Sequence, residues 1–193
     1  MVSTRERIVG ASSALFMERG YAGSGLKQIA QASGAPIGSL YHHFPGGKGE
    51  LAAETLRASG RAYQSLVEAI FDAAPDLVTG VEWCFDGAAE TLRTTDFADA
   101  CPIATVALEV ASSDESLREV TAEIFEGWLR ALTARMAAGG INPEPARELA
   151  TMLVASLEGG FLLCRAAKDT APMAAIGAAM VELVRGALPS NQH

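Results

Sequence analysis

Apolar side chains recur along this sequence at steps of three and four residues. The stretches so marked end at glycine, proline, serine or asparagine, and none alternates in steps of two. Such spacing lays one apolar stripe along a helix and gives a sheet no face to bury, so it predicts an all-α fold. The breaks set the expected lengths. Thr4 caps a first helix over 5–19 that turns Ile8, Ala11 and Leu15 inward, and Gly20 ends it. A short helix runs from Ser24 or Gly25 through Ala32, Gly34 turns the chain, and Pro36 opens a third helix to His43. Pro45, Gly46 and Gly47 then break the chain before a long helix over 48–74, which stops at Pro75 and Asp76. Further helices are expected at 77–94, 102–111, 113–138, 143–168 and 172–188. Pro102, Pro143 and Pro172 fall in first turns, Ser112 and Glu115 have capping-box spacing, and Asn142 stands at a cap.

Hydrophobic residues make up 49% of the 193 and charged residues 20%, enough to bury the core of a small domain and a larger one. No run approaches the roughly 20 apolar residues that span a bilayer, and no apolar signal core follows the start, so a cytoplasmic protein without a membrane partner is expected. Cys84, Cys101 and Cys164 are odd in number, far apart and without a C-x-x-C pattern, which predicts neither disulfide nor metal site. A net charge of -8 ordinarily argues against nucleic acid, because binding draws on lysine and arginine at the phosphates. The charge is unevenly spread. Residues 1–50 hold five basic side chains (Arg5, Arg7, Arg19, Lys27, Lys48) against Glu6, Glu18 and Glu50, a balance of +2 that leaves the remainder at -10. A DNA-facing end and an acidic body with another task are expected.

The segment Leu26 to Phe44, LKQIAQASGAPIGSLYHHF, reads as two short helices around a glycine turn, the arrangement that sets a second helix in a major groove. Ile29, Ala30, Leu40 and Phe44 form the packing face. Gly38 and Ser39 leave the other face of the third helix nearly bare, so backbone can approach DNA while Ser39, Tyr41 and His42 offer hydroxyl and ring contacts. Lys48 stands at a helix start, where backbone N–H groups also attract phosphate.

The run GYAGSGLKQIAQASGAPIGSLYHHFPGGKGEL, Gly20 to Leu51, resembles the DNA-binding domain of the tetracycline-repressor (TetR) family in Gly20-Tyr21, Ile29-Ala30, Gly34, Gly38, Leu40-Tyr41, His43-Phe44 and Lys48. The resemblance implies that Ile37, Gly38, Ser39, Tyr41 and His42 lie at or near DNA and that Lys48 contacts phosphate. Lys27 and His43 complete the expected DNA-binding set. His42 stands where many members have a second tyrosine, and Ile37 where many have lysine. FPGGKGEL carries one residue more between Phe44 and Lys48 than the commonest pattern, and with ACPIATVALEVASSDESLRE and SLEGGFLLCRAAKDTAPM it is similar to the LmrA/YxaF subgroup.

The organisation expected is a helix-turn-helix domain over 1–50 and a helical effector-binding and dimerisation domain over 51–193. The resemblance implies a homodimeric regulator, a repressor of palindromic operator DNA released by a small effector, with no enzyme activity and no cofactor. Trp83, Cys101, Phe125, Trp128 and Phe161 are the candidate effector-pocket residues, although aromatic side chains at helical spacing are more often core. Cys101 and Glu109 also read as nucleophile and base, but the only histidine beyond 42 and 43 is His193. Two other readings stay open at this point: a helical enzyme or binding protein with a vestigial motif, and an architectural DNA-binding protein without an effector.

Overall fold

The computed structural model describes residues 2–98 and 100–189. These form helices and no strand: α1 (Thr4–Arg19), α2 (Leu26–Ser33), α3 (Ile37–His43), α4 (Gly47–Ala73), α5 (Leu77–Thr94), α6 (Pro102–Val110), α7 (Glu115–Ala138), α8 (Pro143–Ala167) and α9 (Ala171–Ala187). His193 and the other last residues of the expected second domain lie outside the described residues.

Most helix ends fall where the breaks place them, and caps explain the differences. Ser3 rather than Thr4 caps α1. Its hydroxyl accepts from the Glu6 N–H at 3.2 Å while the Glu6 carboxylate accepts from the Ser3 N–H at 2.7 Å, because Glu6 stands three residues after Ser3. That backbone bond holds the Glu6 carboxyl below the usual carboxylate range. Pro36 takes the cap position of α3 and not its first turn. Asp114 caps α7 in place of Ser112, accepting from the Leu117 N–H at 3.1 Å, and Asn142 occupies the cap of α8 without a side-chain bond.

Packing divides the chain into two compact units that do not follow the functional division expected at residue 50. The first comprises residues 1–62 and 100–124, the second 63–99 and 125–193. The chain passes between them within α4, between α5 and α6, and within α7. In the first unit Ile8, Phe16, Ile29, Leu40, Phe44, Leu51 and Leu56 are fully buried. Thr55 is also buried, and among the described residues its Oγ1 is the buried side-chain polar atom without a hydrogen-bond partner. Thr55→Val keeps the shape and removes that desolvated hydroxyl. It is expected to stabilise the protein by about 1 kcal/mol, raising Tm by about 2–4 °C in a thermal melt. A lower Tm would show that the hydroxyl is satisfied.

The second unit is built on α5, α8 and α9 around Val81, Phe85, Leu92, Met136, Leu153, Cys164, Met173 and Val184. Two glycines permit close approach: a Cβ at Gly160 would lie 2.7 Å from the Met173 sulfur, and one at Gly177 would lie 2.8 Å from the Phe85 Cβ. All three cysteines are buried, and burial pushes the Cys84 thiol up to about 12. Contrary to the sequence expectation, α8 is long and apolar enough to cross a membrane by composition alone, with a mean hydropathy of 1.4 over its best 18 residues. One face of α8 supplies Ala146, Leu149, Ala150, Leu153, Gly160 and Cys164 to the core. The other leaves Met152, Leu162 and Leu163 exposed, and Leu183 of α9 is exposed as well.

Candidate nucleic-acid interface

The α2–α3 corner follows from a few local bonds. At the start of α2 the Gln28 amide oxygen accepts from the Gly25 N–H at 2.9 Å. At its end Gly34 is left-handed (φ 63, ψ 23), its N–H returning to Ala30 and Gln31, and the Ala35 N–H bonds Ala30 at 3.1 Å. This turn lets Ile29 and Ala30 of α2 and Leu40 of α3 share one core with Phe44.

Burying Leu40 turns the opposite face of α3 outward. Ile37 (41% exposed), Gly38, Tyr41 (52% exposed) and His42 share it at one-turn spacing, and a Cβ on Gly38 would meet no heavy atom within 4 Å. Lys27 of α2 is exposed too. Ser39 and His43 are half-buried, the His43 ring lying 5.2 Å from that of His42 and 6.5 Å from that of Phe44. The result is a short helix with a low, polar and aromatic outer surface, suited to a groove floor.

Lys48, in the first turn of α4, sets its Nζ 4.3 Å from the centre of the Tyr21 ring. Partial burial holds its pKa below the usual lysine value, against the opposing pull of the Glu109 carboxylate. Three side chains outside the expected DNA-binding set belong to this region. Arg5 lies over the Phe44 ring at 5.4 Å and pairs with Glu54 at 3.3 Å, Tyr21 carries Lys48, and Glu109 reaches the turn after α1. A basic residue in the first turn of α1 was a usable signal for Arg5; no local signal marks Glu109.

The expected pocket residues are less well gathered. Phe125 and Trp128 meet edge to face at 5.5 Å, and Tyr63, which the sequence did not single out, meets Trp128 at 6.3 Å. Phe161 packs half-buried against the core of the second unit, whereas Trp83 is 41% exposed. Cys101 is buried in the first unit, where its sulfur caps α6 by accepting from the Ala104 N–H at 3.4 Å. A groove of about 300 Å³ lies instead between α5 and α9, lined by Phe85, Gly177, Val181 and the carboxylates of Glu82, Asp86 and Glu182.

Comparison with known proteins decides the family. The bacterial regulatory proteins of the tetR family match residues 8–55, and the C-terminal domain of LmrA/YxaF-like transcriptional regulators matches residues 78–179. The chain belongs to the TetR family. Among Bacillus subtilis (strain 168) relatives of this TetR regulator, the HTH-type transcriptional regulator YxaF is 34% identical over 94% of this chain and 95% of its own. LmrA, also an HTH-type transcriptional regulator, is 32% identical over 94% and 97%. A solved structure of the TetR-family regulator CifR, a cysteine mutant complexed with 26-base-pair operator DNA, shares the fold with a TM-score of 0.76 at 23% identity, covering 95% and 96% of the two chains. The TetR-family protein described here is thus a DNA-binding transcriptional regulator and not an enzyme. Among the described residues no group of three or more His, Cys, Asp or Glu could hold a metal ion.

Proposed function

We propose that this regulator acts in the cytoplasm as a homodimeric repressor. It reads a palindromic operator with the outer faces of two α3 helices and is released when a small, mostly apolar molecule binds its second unit. The observation that carries the reading is the bare outer face of α3: Ile37, Gly38, Tyr41 and His42 stand out, Ser39 lies between them, and Lys27, His43 and Lys48 flank them. One such head carries little positive charge, so two on a two-fold axis supply affinity that one lacks.

A second copy is the partner expected along α8 and α9. Met152, Ala155, Gly159, Leu163 and Ala166 recur at one-turn steps on the open side of α8, as do Ala175, Ala179 and Leu183 on α9. Gly159 supports this assignment, because a Cβ there would meet nothing in its own chain. Within the glycine pair Gly159-Gly160, packing against Met173 accounts for Gly160 alone.

The effector is assigned to aromatic surface near Phe125 and Trp128, with Phe161 and Trp83 of the same unit as the further candidates. Linkage requires a releasing compound to bind operator-bound protein more weakly than free protein, by the same factor by which it weakens the operator. Tryptophan fluorescence titrated with apolar compounds, with and without bound DNA, measures both quantities. Quenching lost in Trp128→Phe and retained in Trp83→Phe is expected. The reverse pattern would move the ligand to the outer side of α5, and equal affinity with and without DNA would mean that the compound is no inducer.

A further inference from the structure

We propose that Glu109 of α6 is a positioning residue for DNA binding: it closes the α1–α2 turn and, through Tyr21, sets where Lys48 presents its charge. The inference rests on the reading of Lys48 as a phosphate contact given above.

Hydrogen bonding in the turn is nearly self-contained except at one place. The Gly20 N–H returns to Phe16 at 3.0 Å. The Ser24 hydroxyl donates to the carbonyls of Leu15 and Gly20 at 3.2 and 2.7 Å, and the Ser24 N–H bonds Tyr21 at 3.2 Å. The N–H groups of Tyr21 and Ala22 find their acceptors 88 and 87 residues away in sequence. Glu109 Oε1 accepts from Tyr21 at 3.0 Å and Oε2 from Ala22 at 2.7 Å. One carboxylate thus takes two successive backbone donors, a charge-assisted and directional clamp.

Gly20 is shaped to this clamp. Its φ of +72 is left-handed, and a Cβ there would sit 1.7 Å from Glu109 Oε1, so any side chain at residue 20 would displace the carboxylate. The clamped residue then places its ring. Tyr21 packs edge to face on Phe16 at 5.9 Å and presents its face to the Lys48 ammonium at 4.3 Å. The chain of contact runs from α6 to the turn, to an aromatic ring, and to the cation at the start of α4, entirely within the first unit. Tyr21 and Lys48 both lie inside the reading head's sequence, whereas Glu109 enters from the helix that follows α5 in the chain.

A double-mutant cycle on the full-length protein separates positioning from mere support. The probe is the duplex that the protein selects from a random pool, and affinity is measured across a salt series for wild type, Lys48→Ala, Glu109→Ala and the double variant. Lys48→Ala is expected to lower the magnitude of the salt slope by about 1. Glu109→Ala is expected to weaken binding about tenfold, to shift the slope in the same direction, and to cost less than about twofold when Lys48 is already absent. Glu109→Gln, which keeps an acceptor for one of the two N–H groups, should fall between. If Glu109→Ala unfolds the head, by loss of helical circular dichroism, the glutamine variant carries the cycle. Equal losses with and without Lys48, at an unchanged slope, would overturn the proposal. An unchanged slope in Lys48→Ala itself would instead remove the phosphate role of Lys48 on which it rests, so the two failures are distinguishable.

Discussion

Gly38→Leu is expected to abolish specific DNA binding while the protein stays folded. Gly38 stands inside α3, where glycine costs about 1 kcal/mol relative to alanine, and a Cβ there would meet no atom within 4 Å. Nothing in the folded chain therefore requires glycine: its φ is unexceptional and its surroundings are open. In the proposed reading the requirement lies outside the chain, on a surface flanked by Ile37, Tyr41 and His42 that comes close to base edges. A branched side chain at its centre would hold the helix off the groove floor and leave only sequence-independent attraction. Affinity for the selected duplex should fall about a thousandfold or more, toward the nonspecific level. Helical circular dichroism should be unchanged, and Tm should hold or rise by about 2–4 °C. Binding retained at wild-type strength would move the reading face away from α3.

The paired change Leu162→Glu and Leu163→Glu is expected to give a folded monomer with little operator affinity. In the single chain these side chains are 70% and 52% exposed, so charging them disturbs no core contact. In a symmetric pair each copy would set two carboxylates against its partner's apolar stripe, and their desolvation together with like-charge repulsion opposes association. Loss of bivalence then removes about a hundredfold or more of operator affinity without altering either reading head. Sedimentation analysis and operator titration should change together. A variant that still sediments as a dimer would place the interface on another face.

Helix positions were legible because their determinants are local. α5 spans Leu77–Thr94 as the spacing indicates, since Pro75 and Asp76 stand before it and the Asp76 carboxylate caps it by accepting from the Thr79 N–H at 2.8 Å. The errors are contests between capping side chains one or two residues apart, such as Ser3 against Thr4 and Asp114 against Ser112. The α3 face was legible for the same reason: Leu40 inward fixes Gly38, Tyr41 and His42 outward on so short a helix.

What the sequence did not reveal depends on contacts between distant segments. Glu109 meets Tyr21 across 88 positions, and nothing near Glu109 distinguishes it from any solvated helix glutamate. Trp83, Cys101 and Phe125 share a composition typical of pockets, yet packing sends Cys101 to the first unit and leaves Trp83 outward on α5. The boundary expected at residue 50 is not the edge of a packed body, because residues 51–62 and 100–124 belong to the same compact unit as the helices before it.

Selection of bound DNA from a random pool, with the full-length protein at physiological salt, tests the central claim most directly. Two α3 helices on a two-fold axis should enrich a palindrome whose half-sites lie one helical turn or a small multiple apart, and the Gly38→Leu variant should enrich nothing from the same pool. Recovery of unrelated sequences, or of a single half-site without symmetry, would contradict a dimeric operator-reading protein.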